Sequence, residues 1–173
     1  SIVFCKGYGV RAEGSAEMVD EHTVFRIGSL SKGFAGALTG VLVQEGKLHW
    51  QDKVYTHYPA FSLRDADQTK RLRLTHLLSH TTGLPHHAHT DMIENGYTMQ
   101  QILPYLKKVK VYAKEGTMFC YQNAVYSVIG EVMQAATGHA YPDLLREKIL
   151  QPAGMYTAST DYASLMACHN KAY

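Results

Sequence analysis

At 173 residues the chain is long enough for one domain with its own core, and its 46% hydrophobic and 18% charged content excludes a disordered or low-complexity protein. A formal net charge of +2 is too small to imply nucleic acid or an anionic membrane as partner. No run approaches the roughly 18 consecutive apolar residues of a membrane span, and Cys5, Cys120 and Cys168 form neither an even disulfide framework nor a CxxC metal pair.

The opening residues, Ile2, Val3 and Phe4, read as a strand, followed by Gly7-Tyr8-Gly9-Val10 and a polar stretch to Thr23. From Ser29 a helix is expected, because Phe34, Ala37, Leu38, Val41 and Leu42 recur at i, i+3, i+4, i+7 and i+8; Gly46 is its stop. The other side of this helix holds Gly33, Ala35, Gly36 and Gly40, so it is small or apolar all round and belongs at the centre of a domain. Thr75 is a candidate cap for a short helix through His76, Leu77 and Leu78, and Thr98 for another through Gln101, Ile102 and Leu106. A third helix, over 123–136, carries Val125, Val128, Ile129 and Val132 and stops at Gly138. Pro142 suits the first turn of a fourth, over 143–150. The rest of the middle reads as irregular, without internal repeat or linker.

Two short constellations carry chemistry. In Ser29-Leu30-Ser31-Lys32, positions i and i+3 of a helix start bring the serine hydroxyl and the lysine amine onto neighbouring turns. A serine becomes a nucleophile when a base takes its proton, and a lysine serves as that base only when desolvation holds it neutral. The free N–H groups of a helix start favour an oxyanion there. The same pattern also fits a plain serine N-cap followed by a solvated lysine. In Tyr121-Gln122-Asn123, just ahead of the third helix, a tyrosine beside a lysine can relay a proton and an asparagine can bind a substrate amide. The competing reading makes Asn123 an N-cap and Tyr121 a core aromatic.

The flanks of both constellations carry a resemblance. Phe25-Arg26-Ile27-Gly28-Ser29-Leu30-Ser31-Lys32 resembles the nucleophile segment of class C β-lactamases and related penicillin-binding proteins. Leu74-Thr75-His76-Leu77-Leu78-Ser79-His80-Thr81-Thr82-Gly83-Leu84-Pro85 is similar to that family's HLLSHTSGLP run, and Gln151-Pro152-Ala153-Gly154-Met155 to its PLGM turn. The matches keep the family's order from about residue 7 to residue 155.

The resemblance implies an α+β fold, the helical lobe of a β-lactamase/transpeptidase-like domain with part of its antiparallel sheet. It implies acylation of Ser29, proton handling by Lys32 and Tyr121, a substrate amide held by Asn123, and half of an oxyanion hole from the Ser29 N–H. The implied substrate is a small molecule or peptide of β-lactam or D-alanyl-peptide type, with no cofactor and no metal. An ester substrate, or a non-catalytic relative that binds peptidoglycan or a partner protein, is the alternative. The location expected by analogy is extracytoplasmic, any signal peptide lying upstream of Ser1. The family's third motif, a Lys-Thr-Gly or His-x-Gly triad on a sheet strand, is not found in the 173 residues. Residues 1–173 are therefore expected to be a single partial domain, truncated at both ends and weak or inactive in isolation.

Three other features are weighed and set aside. His86-His87-Ala88-His89 holds enough imidazoles for zinc but lacks an accompanying HExxH pattern, and an exposed loop is the simpler expectation. His80 and Ser79 are expected to be structural, although His80 is also a formal partner for a Ser-His-Asp triad with Ser29. Nothing in the sequence argues for an activated thiol at Cys120.

Overall fold

The computed structural model describes residues 2–173. Two 14-residue helices organise it: α1 (Ser31–Gln44) and α7 (Ala124–Thr137). α1 is entered through a 3-10 turn over Gly28–Leu30, and Gly28 takes φ +52, a left-handed conformation that a residue with a Cβ adopts only with strain. The helix buries Ala35, Leu38, Thr39 and Leu42, and the Thr39 hydroxyl is satisfied by donating to the Ala35 carbonyl at 2.8 Å. α7 buries Ala124, Val125, Tyr126, Val128, Ile129, Val132 and Met133, and ends at Gly138, whose φ of +80 turns the chain away.

Between them lie α2 (Val54–His57), α3 (Ala66–Arg71), α4 (Leu74–Leu78), α5 (Thr90–Glu94) and α6 (Met99–Leu106). After α7 come α8 (Tyr141–Leu145), a π-helical turn (Arg146–Leu150) and α9 (Tyr162–Ala167). α2, α4, α5, α6 and α8 all pack on α7, while α1 packs on α8 and the π-helical turn. α7 is thus the centre of the core.

Thr98 caps α6 as expected: its hydroxyl accepts from the Gln101 N–H at 3.3 Å, and the Gln101 side chain returns to the Thr98 N–H at 2.9 Å. Thr75 does not cap. α4 begins one residue before it, and the His76 ring accepts the Arg73 N–H at 3.1 Å instead. The single helix expected over 143–150 starts two residues earlier and changes its winding at Arg146.

The expected strand character is not formed. Among the described residues only isolated bridges occur: Val10 with Met18, Val24 with Lys171, and Lys53 with Arg73. Ile2, Val3 and Phe4 are 85, 96 and 72% exposed. A strand exists only through pairing, and among the described residues no backbone group pairs with these three.

One loop bears directly on the site. Residues 79–85 are clamped by Gln68, whose side-chain amide donates to the carbonyls of Thr82 (2.8 Å) and Ala113 (3.0 Å). Gly83 makes this approach possible, since a Cβ there would lie 2.0 Å from the Ala113 carbonyl oxygen. The Arg71–Glu115 ion pair, 2.7 Å, ties the facing segment to α3.

Candidate functional site

Ser29 comes from the 3-10 turn that enters α1, Lys32 from the first turn of α1, and Tyr121 and Asn123 from the segment entering α7. The fold brings all four side chains to one point. Lys32 Nζ lies 3.2 Å from Ser29 Oγ, 2.7 Å from the Tyr121 hydroxyl and 2.7 Å from Asn123 Oδ1. The Tyr121 hydroxyl donates to Ser29 Oγ. An ammonium has three hydrogens, and each has an acceptor here.

The serine cap reading fails, and the asparagine one holds in position only. The 3-10 turn and α1 follow Ile27 and Leu30 at their N-cap positions, neither making a side-chain cap bond, and Ser29 lies inside the turn. Asn123 does stand at the N-cap of α7, yet its side chain makes no cap bond and turns to Lys32 instead. Ser29 is exposed, while Lys32, Tyr121 and Asn123 are half-buried, so the cluster opens to solvent on the serine side.

Electrostatics distinguish the two tyrosines nearby. For Tyr121, burial opposes ionisation, but its hydrogen bonds with Lys32 and Ser29 and the Lys32 charge outweigh it and hold its pKa below the ordinary phenol value. For Tyr126, burial, with Tyr141 and Tyr121 adding to it, pushes the phenol up to about 12. Tyr126 stays a neutral donor and anchors the Lys32 carbonyl at 2.9 Å. Its part in the site is invisible in the sequence, where it reads as one more apolar position of α7.

His80 is not the partner of a triad. Its Nδ1 accepts the Gln122 N–H at 3.1 Å, and among the described residues its ring makes no hydrogen bond to Ser29. Gln122 is fully buried between two site residues, and its side-chain amide donates to the Pro85 carbonyl. His86 and His87 are exposed at the rim, with ring centroids 6.3 and 5.4 Å from that of Tyr121. Among the described residues no three His, Cys, Asp or Glu side chains are arranged to hold a metal.

Burial lowers the pKa of His80, with Lys32 adding to it; burial also lowers that of His76, where Glu115 opposes and Arg73 reinforces. Such histidines are neutral when folded and bind a proton at their ordinary value when unfolded. Stability is therefore intact above the ordinary histidine value and declines as pH falls from it towards the folded values. The urea midpoint is expected to be lower at about pH 5 than at about pH 7.5, a window above the usual carboxylate range. An equal or higher midpoint at the lower pH would contradict this.

A family model for Beta-lactamase matches residues 1–165. Penicillin-binding protein 4 of Amycolatopsis lactamdurans is 26% identical over 152 residues, which are 88% of this chain and 40% of that protein. The octameric penicillin-binding protein homologue from Pyrococcus abyssi superposes with a TM-score of 0.85 at 24% identity, over 99% of this chain and 41% of its own. The β-lactamase/D-alanine carboxypeptidase from Yersinia pestis gives a TM-score of 0.76 at 24% identity, over 92% and 47%. This chain thus spans less than half the length of each of these proteins. With one family model accounting for nearly every residue around an ordered serine, lysine and tyrosine cluster, the chain belongs to the Beta-lactamase family of serine hydrolases and penicillin-binding proteins.

Proposed function

We propose that Ser29 is the nucleophile of an acyl-enzyme hydrolase acting on β-lactam or D-alanyl-peptide-type amides. The observation that carries this reading is the convergence of Ser29, Tyr121 and Asn123 on one lysine nitrogen, each within 3.2 Å. Tyr121 is the immediate proton acceptor, because its oxygen lies against the serine hydroxyl and the Lys32 cation favours its phenolate. Ser29 Oγ attacks the substrate carbonyl carbon as its proton passes to Tyr121. The C–N bond then breaks, and the proton moves on to the departing nitrogen. A water molecule later attacks the ester by the same route, releasing the acid and restoring the serine. Asn123, its oxygen engaged by Lys32, offers its N–H groups to the substrate carbonyl, and the Ser29 backbone N–H is an oxyanion donor. In the whole protein the helical lobe is proposed to meet an antiparallel sheet, in an extracytoplasmic setting.

Intact-mass measurement after incubation with a penicillin, and separately with an activated ester, tests this. The incubation allows for rates about 10²–10³-fold slow, the usual effect of one missing oxyanion donor. A penicillin adduct that vanishes in Ser29→Ala is expected. An adduct from the ester alone would shift the substrate class to esters. A folded chain that takes neither label would remove Ser29 as nucleophile and favour a non-catalytic binding role.

A further inference from the structure

Tyr121 has to be held in place from outside its own segment. Lys32 belongs to α1 and Ser29 to the 3-10 turn that runs directly into it, whereas Tyr121 stands in an irregular stretch ahead of α7, three residues before the helix begins. We propose that His80 is the positioning residue that aims Tyr121 at Ser29 and Lys32, by gripping the chain on both sides of that tyrosine. The proposal rests on the acyl-enzyme reading above and assigns the aim of its proton acceptor.

Three contacts carry it. The His80 carbonyl accepts the Cys120 N–H at 2.8 Å, on one side of Tyr121. Its ring Nδ1 accepts the Gln122 N–H at 3.1 Å, on the other side. Its ring lies against the Tyr121 ring, with centroids 4.4 Å apart and planes 33° from parallel. The same ring stacks on Tyr126 at 5.0 Å, the residue whose hydroxyl fixes the Lys32 carbonyl. One imidazole therefore packs on the proton acceptor and on the anchor of its lysine partner.

Two further features fit this role better than mere filling of space. His80 adopts φ +57, a left-handed backbone that costs energy for a histidine and turns its carbonyl and its ring towards the same neighbouring segment. Its Nδ1 must be unprotonated to accept an N–H, so the proton sits on Nε2 and the ring is neutral. Burial and the Lys32 charge both favour that neutral form. Besides its hydroxyl bonds to Lys32 and Ser29, Tyr121 is also tied through its carbonyl, which accepts the His87 N–H at 3.0 Å.

The test combines a measurement on the unaltered chain with two variants. Nitrogen-15 NMR of the histidines is expected to find His80 neutral and protonated on Nε2; a proton on Nδ1 would overturn the proposal. His80→Asn keeps a side-chain acceptor at the same branch and tolerates left-handed backbone, whereas His80→Phe keeps a ring without an acceptor. His80→Phe is expected to slow acylation of Ser29 by about tenfold or more, and His80→Asn to stay within about threefold of the parent. The Tyr121 phenolate, isolated as the absorbance difference from Tyr121→Phe, is expected to appear at higher pH in His80→Phe and to hold its place in His80→Asn. Equal losses in the two variants, or no change in a folded His80→Phe, would overturn it. A parent chain that is never acylated would sink the nucleophile reading alone, since the tautomer and the tyrosine titration still decide the grip of His80. Should His80→Phe not fold, the tautomer and His80→Asn decide it.

Discussion

Replacing Lys32 with methionine is expected to lower the rate of Ser29 acylation by about 10²–10⁴-fold, the usual span for loss of a positioned proton-transfer system. The size follows from what one nitrogen does. Lys32 Nζ donates to Ser29 Oγ, the Tyr121 hydroxyl and Asn123 Oδ1, so its removal unpins all three at once. It also supplies the positive charge and one of the two hydrogen bonds that hold the Tyr121 phenol below its ordinary pKa against the effect of burial. Without it, burial remains and the phenolate forms only at higher pH. The rising limb of the acylation profile is therefore expected to move to higher pH in Lys32→Met. The residual rate should recover partly in alkali. Methionine keeps the apolar stem that a half-buried lysine packs, so the fold should persist. Single-turnover acylation across pH, with the mass of the adduct as readout, measures both effects. A loss of less than tenfold with an unmoved profile would mean that Tyr121 needs no help from Lys32.

The two long helices were legible because periodicity has room to declare itself over four turns. The apolar spacing from Val125 to Val132 matches the buried face of α7, and Gly138 ends it as expected. The spacing from Phe34 to Leu42 marks α1 as a helix, but its buried face is Ala35, Leu38, Thr39 and Leu42. Only Leu38 and Leu42 of the expected row are buried, and Ala37 is exposed. α2, α3, α5 and α9, at four to six residues each, are too short for a repeat to show; α2, α3 and α5 each bury at least one side chain, while α9 buries none and is capped by the Asp161 side chain. The four candidate residues that meet at Lys32 Nζ could be singled out through spacing and resemblance. Their supporting cast could not. Tyr126, Gln122 and the grip of His80 are contacts across 37 to 94 positions of sequence, and a lone aromatic or amide carries no mark of its distant partner. The strand expected at residues 2–4 shows a converse failure. β-branched and aromatic residues mark a segment able to pair, but a partner decides whether it does.

The largest stability effect expected near the site is that of Leu77→Ala, about 2–5 kcal/mol, the range for truncating a fully buried leucine. Leu77 has no exposed surface and sits on α4, which packs on α7, the helix behind Asn123 and Tyr126. A total stability of about 5–15 kcal/mol is usual for a domain, so this one change removes a large share of it. The urea midpoint should fall with little change in slope. Leu77 also has a local role that makes the variant informative beyond stability: its carbonyl accepts the His80 N–H at 3.2 Å, so loosening α4 loosens the root of the loop that holds Tyr121. Leu144→Ala is the matched comparison. That residue is 1% exposed on α8, an element that donates no hydrogen bond to residues 79–85. Both variants should lose similar stability, but only Leu77→Ala should also slow acylation when each is assayed well below its own unfolding midpoint. If the two slow it equally, the site responds to general softening of the core rather than to the α4–His80 connection.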